Sequence, residues 1–118
     1  MVNQVITEWL ADGRLMRILN DVSFLDSSGK LWIAKSGTII NGASIPRFFW
    51  RVIGSPYVGK YRRSAVIHDA YYDSQDEPRK KVDQMFYECM IVDGVSKIKS
   101  FLMFKAVRIF ASYKKKAG

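Results

Sequence analysis

One histidine and one cysteine stand among the 118 residues of this chain, so imidazole and thiol chemistry have one position each. The histidine lies in Val66-Ile67-His68-Asp69-Ala70-Tyr71-Tyr72-Asp73. On a helix, with about 100° per residue, His68 and Tyr72 are stacked neighbours and Asp69 points a quarter turn away. Asp83 follows fifteen residues after His68, beyond the turn Ser74-Gln75-Asp76-Glu77-Pro78. Two antiparallel helices joined by such a turn bring the two side chains opposite each other. Asp83, Phe86, Tyr87 and Met90 share a helical face and Cys89 lies well off it, which favours an Asp-His pair over a Cys-His pair.

A carboxylate bonded to one imidazole nitrogen fixes the tautomer and leaves the other nitrogen to take a proton from water. Asp69, on the adjoining face, offers an oxygen ligand to a hard cation, with backbone carbonyls of a preceding loop to complete the shell. These are the pieces of metal-assisted ester hydrolysis. The same residues admit a second reading, a buried polar pair that stitches two helices together. Other chemistries fall away by counting. A phosphohydrolase of the His-Asp type needs further histidines as metal ligands, and a Ser-His-Asp triad needs a nucleophile that no local motif identifies. One cysteine makes no internal disulfide, and one cysteine with one histidine cannot fill a structural zinc site.

The elements that must position these residues are legible in the hydrophobic period. The first 40 residues read as strands: Val5, Thr7 and Trp9 alternate with more polar neighbours, Ala11-Asp12-Gly13 is a turn, and Leu15 to Leu19 is a second apolar run. Val22-Ser23-Phe24-Leu25 and Leu31-Trp32-Ile33-Ala34 flank Asp26-Ser27-Ser28-Gly29-Lys30, a connection suited to closing a hairpin. From Ser44 the period changes. Ser44 can cap a short helix with Pro46 in its first turn and Gly54 at its end. A helix over roughly 61–73 carries Ala65, His68 and Tyr72 along one stripe. Another, over about 79–92, stacks Val82, Phe86 and Met90. A third, over about 97–113 and capped by Ser96, has Ile98, Phe101, Leu102, Ala106 and Ile109 on one face, with Lys105 and Arg108 toward solvent. The expected architecture is one α+β domain over 1–118: an N-terminal antiparallel β-meander in residues 1–40, packed on three C-terminal helices within 41–118, with a basic tail. Asn41, Ser44 and Arg47 are placed beside the His68 pocket, because Asn41-Gly42-Ala43-Ser44-Ile45-Pro46-Arg47 combines tight turns with polar groups that need partners.

Apolar residues make up 48% of the chain and charged ones 25%, which excludes disorder for the chain as a whole. The formal net charge is +8, concentrated at Lys114-Lys115-Lys116 and at Lys60, Arg62 and Arg63. Such a surface suits a partner bearing anionic groups, whether nucleic acid, an anionic lipid surface or an acidic protein, and the charge alone does not choose among them. No motif of specific nucleic-acid recognition is present. The N-terminus lacks the features of a signal peptide and no apolar run approaches ~20 residues, so no transmembrane segment is expected and synthesis in the cytoplasm is.

The run Gly37 to Arg47 with Trp50, then Tyr61 and His68-Asp69-Ala70-Tyr71-Tyr72-Asp73, then Arg79 and Asp83-Gln84-Met85-Phe86, resembles the DUF1353 family, small proteins common in bacteriophages and prophages. The resemblance covers roughly residues 14–113. Family members usually carry an aspartate where this chain has Asn41. The helical half also resembles the catalytic hairpin of phospholipases A2, in particular the short domain of parvovirus capsids. That resemblance implies His68 as general base, Asp83 as its partner, Tyr72 as supporting tyrosine and Asp69 as a calcium ligand, with calcium as the cofactor. The glycine-rich calcium loop of those enzymes has only a faint counterpart in Tyr57-Val58-Gly59-Lys60. The implied function is that of a phage-associated protein, linked to the virion or tail and made in the host cytoplasm, that hydrolyses lipid esters or another envelope component. The alternative is a non-enzymatic structural protein of the phage that docks other phage proteins through its basic surface.

Overall fold

The computed structural model describes residues 5–10, 15–40, 59–74 and 77–117. Among the described residues, five short strands, β1 (Thr7–Trp9), β2 (Met16–Ile18), β3 (Val22–Leu25), β4 (Leu31–Ala34) and β5 (Ile39–Ile40), precede a 3-10 turn, Gly59–Tyr61, and three helices, α1 (Arg62–Ser74), α2 (Arg79–Val92) and α3 (Lys97–Ala117). The architecture is α+β, with every strand pair antiparallel. The strands divide into two sheets, one ordered β1-β2-β5 and the other the β3-β4 hairpin. In β2, β3 and β4 buried residues alternate with less buried ones, as the period-2 pleat requires. The hairpin register sets Val22 opposite Ala34 and Phe24 opposite Trp32, and all four enter the core.

The hairpin turn is held by one side chain. Asp26 Oδ1 accepts from the backbone N of Ser28 at 2.9 Å, Ser28 Oγ at 2.6 Å and the backbone N of Lys30 at 3.0 Å. Its Oδ2 accepts from Trp32 Nε1 at 2.9 Å. These donors favour the charged form, led by the Ser28 hydroxyl and the Trp32 indole, and hold the carboxyl down to about 2. Gly29 supplies the positive φ of 89° that the turn needs.

Helix α1 lays Ala65, Val66 and Ile67 on the strands, and α2 adds Val82, Met85, Phe86, Cys89 and Met90, so strands and helices share one core. Long-range polar ties fix the two halves together. Ser27 donates through its backbone N and its hydroxyl to Glu88 at 2.6 and 3.0 Å. Arg63 grips the Asp93 carboxylate with Nε and Nη2 and also donates to the Ser23 carbonyl. Tyr71 meets the Trp32 ring edge-on at 4.9 Å and accepts from the backbone N of Ile33.

The α2 to α3 turn follows the expected chemistry. Gly94 has φ 94°, Val95 N returns to the Met90 carbonyl, and Ser96 Oγ accepts from Lys99 N at 3.2 Å as the N-cap. The packing face of α3 differs from the apolar stripe read in the sequence. Of that stripe Ala106 is buried, but Ile98, Phe101, Leu102 and Ile109 are exposed, and Ser100, Met103 and Val107 are buried in their place. The helix carries apolar residues on both sides, and the side with Ser100, Met103, Ala106 and Val107 is the one turned inward. Arg108 is likewise turned inward enough to meet a carboxylate of α2, against the expectation that it faces solvent. The short helix expected after Ser44 and the turn at Ala11-Asp12-Gly13 lie outside the described residues.

Candidate functional site

The site is built on facing stripes of α1 and α2. Neither helix has an acidic residue in its first turn, so their alignment comes from packing rather than end charges: His68 follows the buried run Ser64 to Ile67, and Asp83 sits between Val82 and Met85. Packing the two stripes antiparallel brings His68 Nε2 to 2.6 Å from Asp83 Oδ1. The imidazole is 0% exposed and the Asp83 side chain 2%. The other carboxylate oxygen, Oδ2, accepts from Arg108 Nη1 of α3 at 2.9 Å. All three helices therefore meet at one carboxylate.

A carboxylate can only accept, so Nε2 is the nitrogen that carries hydrogen toward Asp83, and in the neutral ring Nδ1 holds the lone pair. Nδ1 is buried without a hydrogen-bond partner among the described residues, as is the Tyr72 hydroxyl. The ring is wedged between Phe86, 4.6 Å away between centroids, and Tyr72, stacked at 6.1 Å. The Arg79 guanidinium covers the Tyr72 ring at 4.2 Å. This arrangement gives a fixed tautomer, a fixed ring plane and a buried ring nitrogen left over among the described residues.

His68, Asp83 and Tyr72 are thus brought together as their spacing implied. Asp69 is also fully buried and engaged in an interaction of its own. It offers a hard oxygen donor beside the histidine, the kind calcium takes. Among the described residues no group of three or more metal-binding side chains stands together, so Asp69 is a single candidate ligand. Asn41, Ser44 and Arg47 lie outside the described residues. Arg108 is the residue that sequence reasoning missed. The signal was available in principle, since a buried carboxylate with several lone pairs demands more than one donor. Cys89 is buried away from this cluster, and burial pushes its thiol up to about 12.

Fold and site together define a small α+β domain organised around a buried His-Asp-Arg network. Residues 16–107 match the family described as "Protein of unknown function (DUF1353)", and the chain belongs to that family. It is similar to uncharacterized protein y4jT of Sinorhizobium fredii (strain NBRC 101917 / NGR234), 37% identical over 101 residues covering 85% of this chain and 30% of that protein. It is also similar to uncharacterized protein y4iH of the same strain, 38% identical over 90 residues covering 76% of this chain and 38% of that protein. The chain spans about a third of the length of these relatives. No solved structure matches it. No helix among the described residues is long and apolar enough to cross a membrane.

Proposed function

We propose that this domain is a hydrolase of lipid esters, or of a related envelope component, acting in a phage-associated setting in the manner of the phospholipases A2 its hairpin resembles. The observation that carries the reading is Nδ1 of His68, buried with no hydrogen-bond partner among the described residues, opposite a nitrogen fixed by Asp83. A purely structural histidine would leave that lone pair unsatisfied at a cost of about 1–3 kcal/mol. In the reaction, water admitted at Nδ1 gives its proton to the ring as its oxygen attacks the ester carbonyl carbon. Asp83 stabilises the resulting imidazolium, with Arg108 holding the carboxylate in place. The tetrahedral adduct then collapses, the carbon to alkoxide bond breaks, and His68 returns the proton to the departing alcohol. Calcium, when bound through Asp69, would polarise the carbonyl and stabilise the oxyanion.

The test is hydrolysis of phospholipid vesicles by the wild-type protein and by His68→Asn in calcium-containing buffer. The expected result is hydrolysis by the wild type and a loss of about 10²- to 10⁴-fold in the variant with the fold retained. Equal rates, or no hydrolysis by the wild type on any lipid ester, overturns it. The complete burial of the imidazole favours a second reading, a non-enzymatic virion- or tail-associated protein that docks other phage proteins through its basic surface. Under it, His68→Asn changes stability alone.

A further inference from the structure

We infer that the outward face of α3 docks on an anionic lipid bilayer, lying in the plane of the headgroups. Ile98, Phe101, Leu102 and Ile109 are 75%, 49%, 53% and 68% exposed. Spaced at three, four and seven residues, they form one stripe about 16 Å long at 1.5 Å per residue. Lys105 lies within the stripe, its Nζ 5.5 Å from the Phe101 ring centroid, and Lys97 and Lys99 stand exposed beside Ile98. Beyond Asp93 the chain contains no aspartate or glutamate but seven basic residues, Lys97, Lys99, Lys105, Arg108, Lys114, Lys115 and Lys116. The counter-charge of this face must therefore come from outside the helix.

The composition selects among anionic surfaces. Protein interfaces are enriched in tyrosine, tryptophan, phenylalanine, methionine and arginine and depleted in lysine; of the enriched types the exposed stripe carries Phe101 alone, set among isoleucine, leucine and lysine. A nucleic acid would be met by an unbroken track of cations, not by four large apolar side chains. An interfacial helix needs this mixture: apolar side chains that enter the acyl boundary and lysines whose stems reach back to the headgroup phosphates. The opposite side of α3 is already committed, since Arg108 holds Asp83 and Met103 and Val107 lie in the core. A bilayer bound to the outward face would thus sit one helix thickness from His68. This extends the lipid-ester reading to the surface on which the lipid is met, and rests on that reading for its substrate alone.

Sedimentation of the full chain with vesicles of phosphatidylglycerol and phosphatidylcholine, against vesicles of phosphatidylcholine alone, tests the inference. Binding should require the anionic lipid and weaken as salt rises. The triple variant Ile98→Ser, Leu102→Ser, Ile109→Ser should abolish it, and Lys97→Gln, Lys99→Gln, Lys105→Gln should lower the partition coefficient by roughly a hundredfold. Because all six side chains are exposed, circular dichroism should match the wild type. His68→Asn should bind vesicles as the wild type does, and the serine variant should still hydrolyse a dispersed short-chain ester. Equal binding to neutral vesicles, no binding to either kind, or self-association that the serine variant removes overturns the docking proposal. Absence of ester hydrolysis by the wild-type chain, with its vesicle binding intact, overturns the hydrolase reading instead.

Discussion

Two aspartates divide this molecule between them. Asp26 in the β3-β4 turn takes its donors from Ser28, Lys30 and Trp32, all within six residues. Asp83 takes its two from His68 and Arg108, fifteen and twenty-five residues away. The first network satisfies all its members and is local, so it shapes a turn and does nothing else. The second is assembled by tertiary packing, is buried, and leaves one ring nitrogen without a partner among the described residues. A complete network stabilises, whereas an incomplete one in a buried setting holds capacity for chemistry.

The largest expected effect that would break this contrast is the loss of activity in His68→Asn described above. Asp83→Ala should follow, lowering stability by about 3 kcal/mol because it strands a buried imidazole and one end of a guanidinium, as read from a denaturant midpoint. Asp83→Asn keeps the shape and should recover most of that stability while remaining inactive. If Asp83→Asn is as active as the wild type, the carboxylate is structural and the two aspartates do not differ in kind.

Asp26→Ala should cost about 1–3 kcal/mol by freeing the Trp32 indole and two backbone donors at once, with no change in activity beyond the stability loss. Its pH signature sharpens the comparison. The folded carboxyl lies below its unfolded value, so its contribution is fully present above about pH 4. It is lost as pH falls toward the folded value of about 2. Wild type minus Asp26→Ala should therefore shrink across that window in acid unfolding curves.

The smallest effects concern groups beside the network. Arg79→Ala should lower stability by about 0.5–1 kcal/mol through loss of the contact with the Tyr72 ring. Cys89, with its thiol pushed up to about 12 by burial, should resist alkylation in the native protein at pH 8 and react on unfolding. Rapid native labelling would show that α2 opens locally, and with it the floor of the His68 site.

The residues' own chemistry settled the element types, the Asp26 hairpin with Gly29 at its turn, the Ser96 cap and the opposition of His68 to Asp83. Each depends on neighbours a few residues apart or on helical period, which the chain carries locally. The division of the strands into two sheets, the roll of α3 and the recruitment of Arg108 were decided only by the tertiary structure. Strand period says which side of a strand is apolar and not which strand it pairs with, and β2 pairs with β5 across more than twenty residues. Likewise α3 carries two apolar stripes, and hydrophobicity alone ranks the one with isoleucine, leucine and phenylalanine, on which Ala106 is also read, above the one with Ser100, Met103 and Val107. A helix can bury only one of its stripes against α2, and the one that holds Arg108 within reach of Asp83 is the one buried, so the more hydrophobic stripe is left facing outward.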